Sequence, residues 1–225
     1  MRLSSFLTER QSIYGPGITF MDIDETILKT HARVQIKKDG KIIARLRNHE
    51  YLSYVPKDDE VADFSEYSDA DVFYKTSEPV MPVIKRIQRM FKKIKERGSR
   101  VVIVSGREDL NDKAKFLETF RKFGVPIDDI YVERVGNIPE ATTNLPQAKK
   151  KVIFKYLATG LYRRARLVDD SEHNCRAFLE LEDELPATTI TRIREKYSVP
   201  EGEPPISFYA LKVLSNGSLQ RIVRD

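Results

Sequence analysis

Two aspartates two residues apart, Asp22 and Asp24, follow directly on the apolar run Ile18-Thr19-Phe20-Met21. Carboxylates that share one space repel and raise each other's pKa unless a cation neutralises them. Oxygen-only ligation suits Mg²⁺, which takes one or two carboxylates together with water and substrate phosphate. With a metal in place, one aspartate can stay ionised and attack phosphorus. The other can protonate the leaving oxygen and then activate water. The plainer alternative is a turn that solvates both acids, or one in which Asp24 or Thr26 caps backbone amides.

Two further segments carry matching chemistry. In Val104-Ser105-Gly106-Arg107, a hydroxyl followed by glycine can offer its O–H and a backbone N–H to a phosphoryl oxygen. Arg107 can grip phosphate through two N–H groups, or simply be solvated at a turn. In Leu167-Val168-Asp169-Asp170-Ser171-Glu172, one acid can complete a metal shell while the other positions a water. Asp170 or Ser171 can equally cap a helix, worth about 1 kcal/mol. The transferred phosphate also needs a cation, and Lys149-Lys150-Lys151 can supply it. Lys149 has Val152, Ile153 and Leu157 on its helical face, and Lys150 has Ile153, Phe154 and Leu157. Helix phase therefore keeps both as candidates for one site lysine, with the other two of the three expected to be a solvated charge run.

The elements that must position these groups alternate. Ile18–Met21 reads as a buried strand after the turn signal Gly15-Pro16-Gly17. From Pro82, the residues Ile84, Ile87, Met90, Phe91 and Ile94 mark a helical face, closed by Gly98. Val101–Val104 is a strand ending at Ser105. Phe116, Leu117, Phe120 and Phe123 mark a second helix, and a strand is expected around 130–132. After loop 136–146 a third helix spans 147–158, Arg166–Val168 is a strand, and a fourth helix begins near Ser171. The pattern predicts an α/β fold with a mainly parallel sheet flanked by helices. Ligands in such sheets bind beyond the carboxyl ends of the strands, which is where Asp22, Asp24, Ser105, Asp169 and Asp170 fall. Two hairpins stand outside the alternation. One is at 32–46 around Lys38-Asp39-Gly40, the other around Ser215-Asn216-Gly217, which either extends the sheet or forms a separate edge. Residues 47–78 read as loops with one short strand.

These four segments, in this order, resemble the motifs of the haloacid dehalogenase (HAD) superfamily of aspartate-nucleophile phosphotransferases. Asp22-Ile23-Asp24-Glu25-Thr26 matches its Asp-X-Asp-X-Thr, Ser105 its second motif, Lys149 or Lys150 its third, and Asp169-Asp170 its fourth. The resemblance spans roughly residues 17–183 and implies a Rossmann-like core at 1–28 and 80–225, with a small β-containing cap inserted at 29–79. It implies Asp22 as nucleophile, Asp24 as general acid/base, and Thr26, Ser105, Gly106, Arg107 and the lysine as phosphate-binding groups. Asp22, the backbone carbonyl of Asp24, Asp169 and Asp170 would hold Mg²⁺. Glu25 departs from many small-molecule phosphatases of the superfamily, which carry glycine there. Val101 to Glu108 is similar to the 3′-phosphatase half of phage polynucleotide kinase–phosphatases, which implies a nucleotide or nucleic-acid terminal phosphate as substrate. No Gly-x-x-x-x-Gly-Lys-Ser/Thr of a kinase half occurs. A sugar-phosphate phosphatase and a noncatalytic nucleic-acid-binding protein are the alternatives.

Composition removes other classes. A single cysteine, Cys175, excludes an intramolecular disulfide framework and a cysteine-rich zinc site. No apolar run approaches a membrane span, so no membrane partner is expected. Met1 to Arg10 lacks the apolar core of a secretory signal, so a reducing, cytoplasmic setting is expected. The net charge of +5 over 225 residues permits an anionic partner without requiring one. His31, His49 and His173 read as structural or exposed residues.

Overall fold

The computed structural model describes residues 15–47, 50, 51, 53–142 and 144–224. His49 and the Met1–Arg10 segment lie outside them. In chain order, β1 (Gly17–Met21) and the two-residue β2 (Leu28–Lys29) come first. The antiparallel pair β3 (Val34–Lys38) and β4 (Lys41–Leu46) follows. Asp39 and Gly40, with φ of 49° and 73°, make the two-residue turn between them, as a tight hairpin requires. Then come β5 (Glu60–Asp63), the one-turn α1 (Ser65–Ser68), α2 (Ala70–Thr76) and β6 (Glu78–Pro79).

Helices and strands alternate from there. They are α3 (Met81–Arg97), β7 (Arg100–Ser105), α4 (Lys113–Lys122), β8 (Tyr131–Arg134), α5 (Leu145–Leu157), β9 (Arg164–Asp169) and α6 (Glu172–Glu184). The chain ends with α7 (Ala187–Tyr197), β10 (Ser207–Val213) and β11 (Leu219–Ile222).

The main sheet has the order β11-β10-β9-β1-β7-β8. All neighbours are parallel except β11, which returns antiparallel along β10. The C-terminal hairpin thus extends the sheet. Strand alternation feeds two cores. Ile18, Phe20, Val102, Val104, Ala165 and Leu167 face α5, α6 and α7. Met21, Val101, Ile103 and Val168 face α2, α3 and α4. Strands covered on both faces read as continuous apolar runs, which is why Ile18–Met21 and Val101–Val104 were recognisable.

Two helical stretches depart from expectation. Residues 65–68 and 70–76 are helical, not loop. Asp69 caps α2 by accepting from the N–H groups of Asp71 and Val72, but only Ala70 and Phe73 are buried. Seven residues with two buried positions show no readable period. The same weakness hides α7, where only Thr189 and Ile193 are buried and β-branched residues dominate the first turn. A three-stranded sheet, β4-β3-β5, stands apart from the main one within the 29–79 stretch. Among the described residues, no helix is long and apolar enough to cross a membrane.

Candidate functional site

β1 lies between β7 and β9, so the carboxyl ends of three neighbouring strands bring Asp22, Ser105 and Asp169 together. Backbone pairing carries one step past β1, because the Asp22 N–H donates to the Val168 carbonyl at 3.0 Å. At the next bend Glu25 adopts a positive φ of 55°, and Thr26, Ile27 and Leu28 donate back to the Ile23 carbonyl. This tight turn keeps Asp24 beside the strand end.

Lys149, in the second turn of α5, sits at the centre. Its Nζ donates to Asp22 Oδ1 at 2.8 Å and to Asp169 Oδ2 at 2.9 Å, and all three side chains are buried. Lys150 goes elsewhere. It is buried as well, but its Nζ pairs with Glu180 at 2.8 Å and Glu184 at 2.5 Å on α6. Of the two expected lysines, the structure brings only Lys149 to the acids. Both lie on an inward stripe, and the sequence phase could not tell the sheet from α6.

Asp169 is fully buried and its other oxygen is saturated. Oδ1 accepts from the Ser171 N–H and from Asn174 Nδ2, both at 2.9 Å. Ser171 caps α6 through the Asn174 N–H, which settles the capping alternative in its favour over Asp170. Asp170 is half-buried. Asp22, Asp169 and Asp170 each present a carboxylate oxygen within 4.8 Å of the others, so the three could hold a metal ion. The carboxylate of Asp24 is not in that group.

Asp24 faces Arg107 instead. The guanidinium reaches it from Nε at 3.1 Å to Oδ1 and 2.9 Å to Oδ2, and from Nη2 at 2.7 Å to Oδ1. Thr30 adds its hydroxyl to Oδ1 at 2.5 Å. Arg107 is held in turn by the Tyr67 carbonyl at 2.7 Å and lies 4.7 Å from the centre of the Phe73 ring. Arg107 was expected to face phosphate; here its guanidinium is engaged by Asp24 and by residues of the 29–79 stretch.

Ser105 is buried, and its Oγ accepts from the Arg107 N–H at 3.1 Å. Gly106 and Gly136 shape this corner. A Cβ on Gly136 would come within 2.5 Å of the Gly106 carbonyl oxygen, so only glycine permits that approach. Thr26 Oγ1 is buried with no hydrogen-bond partner among the described residues. His31 is exposed, 3.4 Å from the Glu78 carboxylate, and His173 is exposed on α6.

The electrostatics show a centre short of positive charge. Four carboxylates (Asp22, Asp24, Asp169, Asp170) face two cations (Lys149, Arg107), leaving two negative charges. Burial is the main force raising the Asp22 pKa, and Asp169 and Asp24 add to it beyond what Lys149 recovers. Burial, then Asp169, pushes Asp170 up to about 6. Burial would also raise Asp24, but Arg107 outweighs it and the net direction is down. Lys149 stays charged: burial opposes its charge, and Asp169 and Asp22 more than compensate.

Sequence reasoning missed Thr30, Tyr67, Phe73, Gly136 and Asn174. The first three come from a stretch whose helices left no periodic trace. Asn174 was legible in principle: five residues after Asp169 and in the first turn of α6, it can reach back to the strand end. No protein-family model matches this sequence, and no curated protein matches it significantly.

Proposed function

We propose that this chain is a divalent-metal-dependent phosphoric monoester hydrolase of the haloacid dehalogenase type, working through a phosphoryl group carried on Asp22. One observation carries the reading: Lys149 bridges Asp22 and Asp169, with Asp170 beside them, at the ends of adjacent parallel strands. Clustered buried carboxylates are costly unless something uses them. A pocket left with two negative charges and only oxygen donors fits a hard divalent cation, and Mg²⁺ is the expected one. Asp22, Asp169 and Asp170 would hold it, and bound there it would neutralise charge on the phosphoryl oxygens.

The chain's own residues supply the rest. Asp22 attacks phosphorus through its free carboxylate oxygen. The bond to the leaving oxygen breaks, and that oxygen takes a proton from Asp24. Asp24, now ionised, removes a proton from water. The water oxygen attacks phosphorus, the bond to Asp22 breaks, and inorganic phosphate leaves. Lys149 and Ser105 hold the phosphoryl oxygens, and Asn174 with Ser171 keeps Asp169 in place. Arg107 holds Asp24 ionised and must loosen before Asp24 carries a proton. A phosphate monoester offers the oxygens that would draw the guanidinium away. The 29–79 stretch acts as a cap, since Thr30, Tyr67 and Phe73 reach the site from it. The substrate class is a nucleotide or nucleic-acid terminal phosphate.

The test is hydrolysis of an aryl phosphate with Mg²⁺, with EDTA, and with Asp22→Asn. Activity should need both the metal and Asp22, and a fully active Asp22→Asn protein would overturn the mechanism. A panel of 3′-phosphorylated oligonucleotides, nucleotides and sugar phosphates then fixes the substrate class. Preference for sugar phosphates would make it a metabolite phosphatase.

A further inference from the structure

The positive charge of this protein is concentrated on one helix. α3 carries Lys85, Arg86, Arg89, Lys92, Lys93, Lys95 and Arg97 against Glu96 alone. Its local excess of six is larger than the +5 of the whole chain. Lys85, Arg89 and Lys92 are spaced at four and three residues, so they form one stripe, and all three are exposed.

The sheet adds to this surface. Arg166 and Tyr209 are register partners on β9 and β10 and lie on the α3 side. Arg166 Nη1 approaches Met90 Sδ of α3 at 3.7 Å, which places it against the helix. Its Nε is buried without a hydrogen-bond partner among the described residues. Burial works against its charge, the repulsion of Arg86 and Arg164 adds to that, and Tyr209 opposes it. The Arg166 and Arg221 guanidiniums lie 5.6 and 4.8 Å from the centre of the Tyr209 ring. Among the described residues, no ion pair engages Lys85, Arg86, Arg89, Lys92, Arg166 or Arg221. Like charges gathered without acids are unfavourable unless an anion settles among them.

We propose that the outer face of α3, together with Arg166, Tyr209 and Arg221, is a docking surface for single-stranded nucleic acid. This rests on the phosphatase reading for the role of the surface, not for its binding. Phosphates would lie along the basic stripe, and Tyr209 with its flanking guanidiniums offers a platform on which a base can stack. Position fits as well. Arg166 precedes Asp169 by three residues on β9, roughly 10 Å along the strand. A strand whose terminal phosphate enters the acid pocket would pass over this face. A lipid surface fits less well. An interfacial helix needs a free apolar face, whereas Val83, Ile84 and Ile87 of α3 are spent in the core.

The experiment measures binding of fluorescein-labelled oligothymidylate by anisotropy, in EDTA, across a salt titration. Wild type is compared with the exposed triple variant Lys85→Glu/Arg89→Glu/Lys92→Glu and with Arg221→Gln. Vesicles of phosphatidylserine and phosphatidylcholine form a parallel arm. The expected result is binding that weakens steeply with salt. In the triple variant, affinity should fall by about tenfold or more and the salt slope should flatten by about two, for three lost phosphate contacts at ~0.7 each. Both variants should keep the wild-type unfolding temperature and the wild-type rate on an aryl phosphate. Equal affinity and slope in wild type and triple variant would overturn the proposal. So would vesicle binding without oligonucleotide binding. If the oligonucleotide pattern holds while wild type hydrolyses no aryl phosphate, the docking surface stands and the phosphatase reading fails.

Discussion

Arg107 and Asp24, 83 residues apart in the chain, form a two-point ion pair with Nε to Oδ2 at 2.9 Å and Nη2 to Oδ1 at 2.7 Å. The pair joins the end of β7 to the turn after β1, and it sets the charge state of Asp24. Burial pushes the Asp24 carboxyl up; Arg107 reverses that and holds it down. Removing the guanidinium should let burial win. In the proposed reaction ionised Asp24 activates water, so at saturating Mg²⁺, which keeps Asp22 and Asp170 ionised, the acid limb of the pH–rate profile reports its pKa. Arg107→Gln should move that limb to higher pH on an aryl phosphate, whose leaving oxygen needs little help from a proton. A limb that stays in place would show that Asp24 is not the base.

Lys149 and Lys150 are adjacent and both buried, yet they should respond to substitution in different ways. Lys149→Met strips two buried carboxylates of their cation. Breaking a buried pair from one side costs about 3–5 kcal/mol. Protonation of Asp22 offsets part of this, so about 3 kcal/mol is expected, or roughly 6–12 °C in unfolding temperature for a chain of this size. Mg²⁺ should then raise the unfolding temperature of the variant more than that of the wild type, because it replaces the cation that Asp22 and Asp169 have lost and displaces the proton from Asp22. Lys150→Met breaks contacts with the exposed Glu180 and Glu184. It should cost about 1 kcal/mol or less and leave the aryl-phosphate rate unchanged. Equal losses of activity would mean that Lys149 has no special place in the site.

Asp170 provides a pH signature. Its carboxyl is pushed up to about 6 by burial and Asp169, from about 3.9 in an unfolded chain. The folded protein therefore binds this proton more tightly than the unfolded one. The contribution of Asp170 to stability is most favourable below about pH 4 and is lost as pH rises through about 6. A divalent cation needs the ionised carboxylate, so metal affinity should run the other way and climb through the same range. Thermal unfolding against pH, with and without Mg²⁺, should show the two curves diverging above pH 6. Asp170→Asn should flatten this divergence. A wild-type metal response that is constant from pH 5 to 8 (roughly the window around that pKa) would rule out Asp170 as a ligand.

The sequence was informative where one physical cause dominated. Ile18–Met21 and Val101–Val104 are covered by helices on both faces, so their apolar runs marked the strands and put Asp22 and Ser105 at strand ends. The pairing of β1 with both β7 and β9 was not visible, because strand order depends on contacts between distant segments. The groups that hold Arg107 against Asp24 were hidden for another reason. Tyr67 offers a backbone carbonyl, a group every residue carries, and Phe73 lies on a helix too short to show a period. Lys149 and Lys150 were indistinguishable because α5 is buried on two sides, against the sheet and against α6. Charge was legible only residue by residue, since the +5 average covers both an acidic pocket and a far more basic α3.

Glu25 is the position where the resemblance and the backbone meet. Many phosphatases of the superfamily carry glycine at the matching place, and here Glu25 holds a φ of 55°. Left-handed backbone costs an L-residue roughly 1–2 kcal/mol, whereas glycine adopts it freely and loses about 0.5–1 kcal/mol to unfolded-state entropy instead. Glu25→Gly should thus be neutral or stabilising by up to about 1 kcal/mol, an increase of no more than about 4 °C. It also removes an exposed acid that raises the Asp170 pKa, so metal binding should extend to slightly lower pH. Glu25→Val keeps the strain and adds branching at Cβ, the worst case for a positive φ. It should lower the unfolding temperature and, by loosening the turn that holds Asp24, the hydrolytic rate. If both variants lost stability equally, the turn would not be held by backbone geometry, and the carboxylate of Glu25 would have to be the feature that matters.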